Sequence, residues 1–222
     1  MFRLNQNLEI VACAIQKNII IPHIIISLIY MSTPNEDLMK EHGLLNRLLL
    51  IYEEIINRLQ TNIIVSHQII HNVAKIIRTF IEDHHEKTEE LYIFPLLINN
   101  NMEVELVNEL IEQHKLGRII TDNIMKLTLQ NTIDKTKLIG NISNFIKMYR
   151  YHESREDTII FPKFRGLSSD QEYKELGEKL EEEEDKIIGY SDTLQIVTII
   201  EKYLGIFDLK IITNKVKNNI YV

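Results

Sequence analysis

Seven glycines and four prolines in a chain of 222 residues leave few places where the backbone can break. A β-sandwich or a doubly wound sheet needs a turn about every ten residues, and turns draw on these two residue types. Long helices with few connections are what such a chain can build. A hydrophobic share of 45% is ordinary for a globular protein with a core, and the length suits one domain, or one domain with an appendage. A net charge of −7 lacks the basic footprint that nucleic acid requires. A single cysteine, Cys13, excludes a disulfide framework and a thiolate-rich metal site.

Residues 1–32 read as a leader or extension outside the fold. Their apolar run, 18–30, is shorter than the roughly 20 residues needed to span a bilayer, and Pro22 and His23 interrupt it. Ile10-Val11-Ala12-Cys13 has the form of a lipoprotein cleavage box, but no apolar signal core precedes it, and the match reads as chance. An anchor in residues 1–31 is the one route by which a membrane would enter. The location otherwise expected is cytoplasmic.

From Thr33 the apolar period is helical. Thr33-Pro34-Asn35-Glu36 has the pattern of a capping box, and Leu38, His42, Leu45, Leu49, Tyr52 and Ile56 then step 4-3-4-3-4. A break at Thr61-Asn62 starts a second helix, which runs to about Pro95 and is ended by Asn99-Asn100-Asn101. A third helix spans about 103–129 and a fourth about 133–163. In the fourth, Leu138, Ile142, Phe145, Tyr149, His152, Glu156 and Ile159 repeat the same stepping. Short connections between long helices predict an up-down-up-down antiparallel four-helix bundle over residues 33–165. Residues 166–222 form a C-terminal helical extension and tail: one helix capped at Ser168-Ser169-Asp170 and running into the acidic run Glu181 to Asp185, then another from Thr193 to Leu204.

The bundle is also an internal repeat. His85-Glu86-x-x-Glu89-x4-Phe94-Pro95 recurs as His152-Glu153-x-x-Glu156-x4-Phe161-Pro162, and each half is preceded by a helix with its own histidine, His42 or His114. Residues four apart share a helix face, so His85 with Glu89, and His152 with Glu156, each aim an imidazole and a carboxylate at one point. His42 lies 19 residues before Thr61 and His85 24 after it, which places the two within about 8 Å of one height. The same counting levels His114 with His152. Four histidines and at least two carboxylates meeting in a bundle interior are costly to bury without a partner, and a metal pair would supply one. Imidazole with carboxylate and no thiolate suits iron, with manganese or zinc as weaker fits. Glu86 and Glu153 are additional candidate ligands. His84 competes with His85 for the inward position, and the match with His152 decides for His85. His67 and His71 form an i, i+4 pair, but His71 lies about 21 Å along the helix from His85. Tyr149 and Tyr151 flank the cluster; packing is the role expected of them, with a hydrogen bond to a ligand as the alternative.

These strings resemble the hemerythrin-like (HHE cation-binding) family from about Thr33 to Arg165, in its prokaryotic form with a C-terminal helical extension. The carriers are Glu36-Asp37-Leu38-Met39-Lys40-Glu41-His42, His85-Glu86-Lys87-Thr88-Glu89, Glu112-Gln113-His114 and His152-Glu153-Ser154-Arg155-Glu156. The resemblance implies a non-haem centre of two carboxylate-bridged irons that binds O2 or a related small ligand, with His42, His85, Glu89, His114, His152 and Glu156 as ligands. Its role would be oxygen or iron sensing, storage or detoxification. One alternative is a di-iron enzyme acting on peroxide, NO or ferrous iron; another is a metal-dependent interaction module that meets a protein partner through its C-terminal helices. One departure matters. Oxygen-carrying hemerythrins place two histidines four apart on the third helix, whereas here His114 is followed at that spacing by Arg118. The vacant place falls to Glu86, to water or to nothing, which moves weight from reversible O2 carriage towards sensing, iron handling or peroxide and NO chemistry.

Overall fold

The computed structural model describes residues 33–184 and 189–206. The readings made above for residues 1–32, for the end of the acidic run at Asp185 and for the tail beyond 206 lie outside them. Every regular element among the described residues is helical. Helix α1 is Pro34–Gln60. Helix α2, residues 67–99, begins with His67–Ile76, and α3 is Val104–Thr128. Helix α4, residues 135–167, begins with Lys135–Arg155. Two further helices follow, α5 (Asp170–Glu184) and α6 (Tyr190–Leu204). No described helix is long and apolar enough to cross a membrane.

Helices α1 to α4 form the bundle. The connections are short and carry the residues that short turns require: Asn62 and Asn101 adopt left-handed backbone, with φ of 57° and 54°. Asp134 caps α4 by accepting from the Lys137 backbone N–H, and Ser169 and Glu172 exchange the two hydrogen bonds of a capping box at the start of α5. Gly205, with φ of 66°, ends α6 in a Schellman closure, the Ile206 N–H reaching the Glu201 carbonyl. Helix α6 is tied to α1 by the Arg47–Glu201 ion pair, in which Glu201 is buried.

Helix α2 runs past Pro95 to Asn99, at the asparagines expected to end it, and α4 runs past Pro162 to Leu167, beyond the expected 163. The reason lies one turn earlier. Residues Glu89–Ile93 and Glu156–Ile160 are π-helical, so the Phe94 N–H bonds to the Glu89 carbonyl and the Phe161 N–H to the Glu156 carbonyl, five residues back. A widened turn takes up the proline that follows without breaking the helix. It also shifts the buried stripe by one place: Ile160 is fully buried, while Ile159, the residue expected in the seam, is partly exposed. A longer π segment, Ile77–His85, leads into His85.

The interior has two apolar clusters. One is built on Leu44, Leu48, Tyr52, Ile77, Ile142 and Phe145 and is closed by Val197 and Leu204 of α6. The other gathers Leu38, Ile93, Phe94, Leu110, Phe161 and Phe164.

Candidate metal centre

Each helix of the bundle brings one buried histidine inward: His42 from α1, His85 from α2, His114 from α3 and His152 from α4. They meet in pairs. The Nε2 atoms of His42 and His85 lie 2.9 Å apart, and those of His114 and His152 also lie 2.9 Å apart. Two adjacent ligands at about 2.1 Å from one ion stand at nearly that separation. The carboxylates of Glu89 and Glu156, both fully buried, sit between the pairs. Glu89 places one oxygen 3.6 Å from His85 Nε2 and the other 3.5 Å from His114 Nε2. Glu156 stands 3.4 Å from His42 Nε2, 3.0 Å from His152 Nε2 and 3.8 Å from His114 Nε2. Two four-residue sets result, His42–His85–Glu89–Glu156 and Glu89–His114–His152–Glu156, each with its donor atoms within 4.8 Å of one another. The two glutamates belong to both. None of their four oxygens has a hydrogen-bond partner among the described residues. Buried carboxylates left this way are costly, so the donor set fits a pair of cations.

The outer edge of every imidazole is also held. Nδ1 faces Asp157 in His42 (2.8 Å), Glu41 in His85 (2.7 Å), Glu90 in His114 (2.9 Å) and Gln113 in His152 (3.0 Å). An acceptor at Nδ1 places a ring proton there and leaves Nε2 to face the interior. Phe161 stacks on His42 and Phe94 on His114, each phenylalanine of the repeat covering a histidine from the other half.

The charges show what the cluster lacks. Burial works against a charge on Glu89, and the Glu156 carboxylate beside it adds to this, so its pKa lies well above the usual range. Burial would raise Glu156 as well, but His152 and His42 outweigh it and hold that carboxyl well below. The pair is thereby driven apart, Glu89 towards the protonated form and Glu156 towards the charged one. Burial disfavours a charged His42, yet Asp157 and Glu156 prevail and lift it to about 10. Burial lowers His85, and lowers His114 to about 4. Glu41 is pushed up by burial but held at about 2 by His84 and His85.

A pair of cations would need the His42 lone pair and one Glu89 oxygen each, and both His42 and Glu89 have raised pKa values. Their protons are present below those values and leave as pH rises, so cation uptake should release protons and tighten with pH. Loading at about pH 6 and about pH 8 in a dilute indicator dye tests this; uptake with no proton release would contradict it.

Other residues singled out in the sequence lie beside the cluster. Glu86 is buried, with one oxygen accepting from the Tyr149 hydroxyl at 2.5 Å and the other 2.8 Å from Arg118 Nη2. Glu153, which burial pushes to about 7, accepts from the Asn46 amide at 2.7 Å. Neither belongs to the two four-residue sets, although Glu86 forms a third group with Glu90 and His114. His84 reaches Glu41, leaving the inward place to His85. His71 meets Thr128, and His67 is exposed. Tyr151 is exposed, whereas Tyr149 is buried and makes the bond to Glu86, a polar role beyond packing.

Tyr149 fits because residue 117 is glycine. A Cβ there would collide with the Tyr149 hydroxyl and come within 3.0 Å and 3.1 Å of its ring carbons. Gly117→Ala should therefore destabilise the protein by about 1–3 kcal/mol through overpacking, despite about 1 kcal/mol gained in helix propensity. Gly140→Ala, with nothing within 4 Å, should show the gain alone. Urea unfolding of the two variants checks the contrast.

A helical bundle lined by paired histidines and shared glutamates is a cation-binding architecture. Residues 33–164 match the family model described as the hemerythrin HHE cation binding domain, and the chain belongs to that family. It is also 38% identical over 184 residues to uncharacterized proteins of Mycobacterium bovis and of two strains of Mycobacterium tuberculosis, covering 80% of this chain and 72% of each of theirs. No solved structure gives a significant match.

Proposed function

We propose that this is a non-haem di-iron protein that binds O2 or a related small ligand, with His42, His85, Glu89, His114, His152 and Glu156 holding the two ions. The observation that carries this reading is the sharing of Glu89 and Glu156 by two four-residue donor sets. Bound iron would supply redox change and an open position for a small ligand. The protein's part is to hold the donors and balance charge. Two ferrous ions bring four positive charges; Glu89 and Glu156 offset two. Glu41, Glu90 and Asp157, hydrogen-bonded behind three of the imidazoles, add three more carboxylates. Phe94 and Phe161 limit water at the ring faces.

A second reading, an enzyme acting on peroxide, NO or ferrous iron, is favoured by the Tyr149–Glu86 pair, which sets a hydroxyl and a carboxyl beside the donors. Anaerobic reconstitution with ferrous iron, followed by the visible spectrum on adding O2, tests the first reading. About two irons per chain and a new charge-transfer band are expected. Repeated turnover of peroxide or NO would favour the enzyme. A chain that takes up no iron would overturn both.

A further inference from the structure

The α1–α2 and α3–α4 connections meet at one end of the bundle, where Leu59, Ile63, Ile64, Val65, Ile133 and Lys135 line a cleft of about 320 Å³. Ile63 closes the helix before it: its N–H bonds to the Arg58 carbonyl behind left-handed Asn62, a place where an apolar residue is usual. Ile64 and Leu129 have no such duty, yet they are 90% and 73% exposed, beside an Ile63 that is 52% exposed. Turns draw on small and polar residues, so three large aliphatic side chains offered to water at two adjacent turns mark a contact surface. The charge at this end also runs against the net −7 of the chain. Residues 57–72 and 124–141 hold Arg58, Lys126, Lys135 and Lys137 against one acid, Asp134. Beyond them, α2 carries Lys75 and Arg78 before its first acid, Glu82, and α4 carries Lys147 and Arg150 before Glu153. Lys126, Lys135 and Lys137 are exposed, and Lys135 Nζ donates to the Asn62 side-chain oxygen at 3.1 Å, which sets its charge beside the Ile63-Ile64 pair.

We propose that this end of the bundle is a docking surface for an anionic lipid bilayer, with Ile63, Ile64 and Leu129 entering the headgroup layer and the lysines pairing with lipid phosphates around them. Aliphatic tips flanked by lysines suit such an interface, where apolar groups leave water while the ammonium groups stay level with the headgroups. A nucleic acid would take the lysines and leave the isoleucines in water, and residues 57–72 and 124–141 include no aromatic side chain on which a base could stack. The contact is peripheral, since no described helix is long and apolar enough to cross a membrane. The sequence confines a membrane contact to residues 1–31, whereas this surface is assembled from two separate connections and exists only in the fold. Its position leaves the metal centre apart: His42 lies 18 residues before Gln60, about 27 Å along α1.

The test is cosedimentation of the full chain with vesicles of phosphatidylcholine alone and of phosphatidylcholine and phosphatidylglycerol in equal parts. Binding should need the anionic lipid and weaken as salt rises. Lys126→Gln, Lys135→Gln and Lys137→Gln together should weaken it about a hundredfold, and Ile64→Ser about tenfold. Ile119→Ser, which changes an exposed isoleucine outside this end, should leave it unchanged. The chain has no tryptophan, so Ile64→Trp gives a single probe. Its emission should shift to the blue with the anionic vesicles and stay in place with a DNA oligonucleotide. The melting midpoints of the lysine and Ile64 variants should match that of wild type, which separates a lost surface from a lost fold. Wild type that stays in the supernatant with anionic vesicles would overturn the inference. Binding that survives both the lysine and the isoleucine changes would overturn it too, and would place the contact elsewhere in the chain. Lysine-dependent binding with no emission shift at residue 64, or tighter binding to the oligonucleotide than to vesicles, would overturn it in favour of nucleic acid.

Discussion

Glu89→Ala and Glu156→Ala should each cost the protein both metal ions, whereas His85→Ala should chiefly weaken one. The asymmetry follows from the sharing of donors. Glu89 and Glu156 belong to both four-residue sets, while His85 belongs to one. Removing a shared carboxylate takes a donor from each ion and one of only two negative charges between them. Removing His85 leaves the His114–His152–Glu89–Glu156 set complete. Metal retained after extensive dialysis should fall from about two per chain towards none in the glutamate variants and to about one in His85→Ala. Glu153→Gln is the control: its carboxyl accepts from Asn46 and lies outside both sets, so two ions should remain. Equal loss in His85→Ala and Glu89→Ala would argue against shared carboxylates.

Stripping the metal should lower the melting temperature substantially, because the centre sits where the bundle would otherwise bury apolar side chains. Four histidines and two carboxylates are enclosed there, and among the described residues neither carboxylate's oxygens have a hydrogen-bond partner. A ligand present at about a thousand times its dissociation constant stabilises by about 4 kcal/mol, and at this chain length each kcal/mol moves the midpoint about 2–4 °C. Removal by a chelator should therefore cost about 8–16 °C in a thermal scan. Glu89→Gln should abolish that difference and raise the metal-free midpoint above that of metal-free wild type. The sign follows from the raised pKa of Glu89: its folded form is favoured at low pH and loses ground as pH rises past the ordinary carboxyl value. The advantage of glutamine should accordingly be larger at about pH 8 than at about pH 5. A metal-independent midpoint in wild type would contradict the account.

Much of this organisation was legible in the sequence because the chain writes it twice. The recurrence of H-E-x-x-E-x4-F-P identifies the inward faces of α2 and α4, and the counting of heights brings His42 level with His85 and His114 level with His152. The orienting residues were harder to read for a geometric reason. Glu41, Gln113, Glu90 and Asp157 each stand next to a donor residue in the chain, about 100° round the helix, and so point to a neighbouring helix rather than to the site. Their targets, His85, His152, His114 and His42, all lie on other helices, and only the packing reveals which. A signal was nonetheless present: Glu41-His42 matches Gln113-His114, and Glu89-Glu90 matches Glu156-Asp157. The π-helical turns escaped because a strict helical count carries the seam to Ile159, and the shift to Ile160 depends on how α4 accommodates Pro162. The setting of Glu86 turned on Gly117, a position whose importance appears only once Tyr149 is seen to reach across from α4.

The central claim is that one pair of carboxylates joins two ions held by four imidazoles. X-ray absorption at the iron edge of the loaded protein tests it most directly. The account predicts a shell of nitrogen and oxygen neighbours at about 2.1 Å, no sulfur, and an iron–iron vector of about 3–4 Å. A spectrum with isolated iron atoms and no metal–metal vector would contradict it.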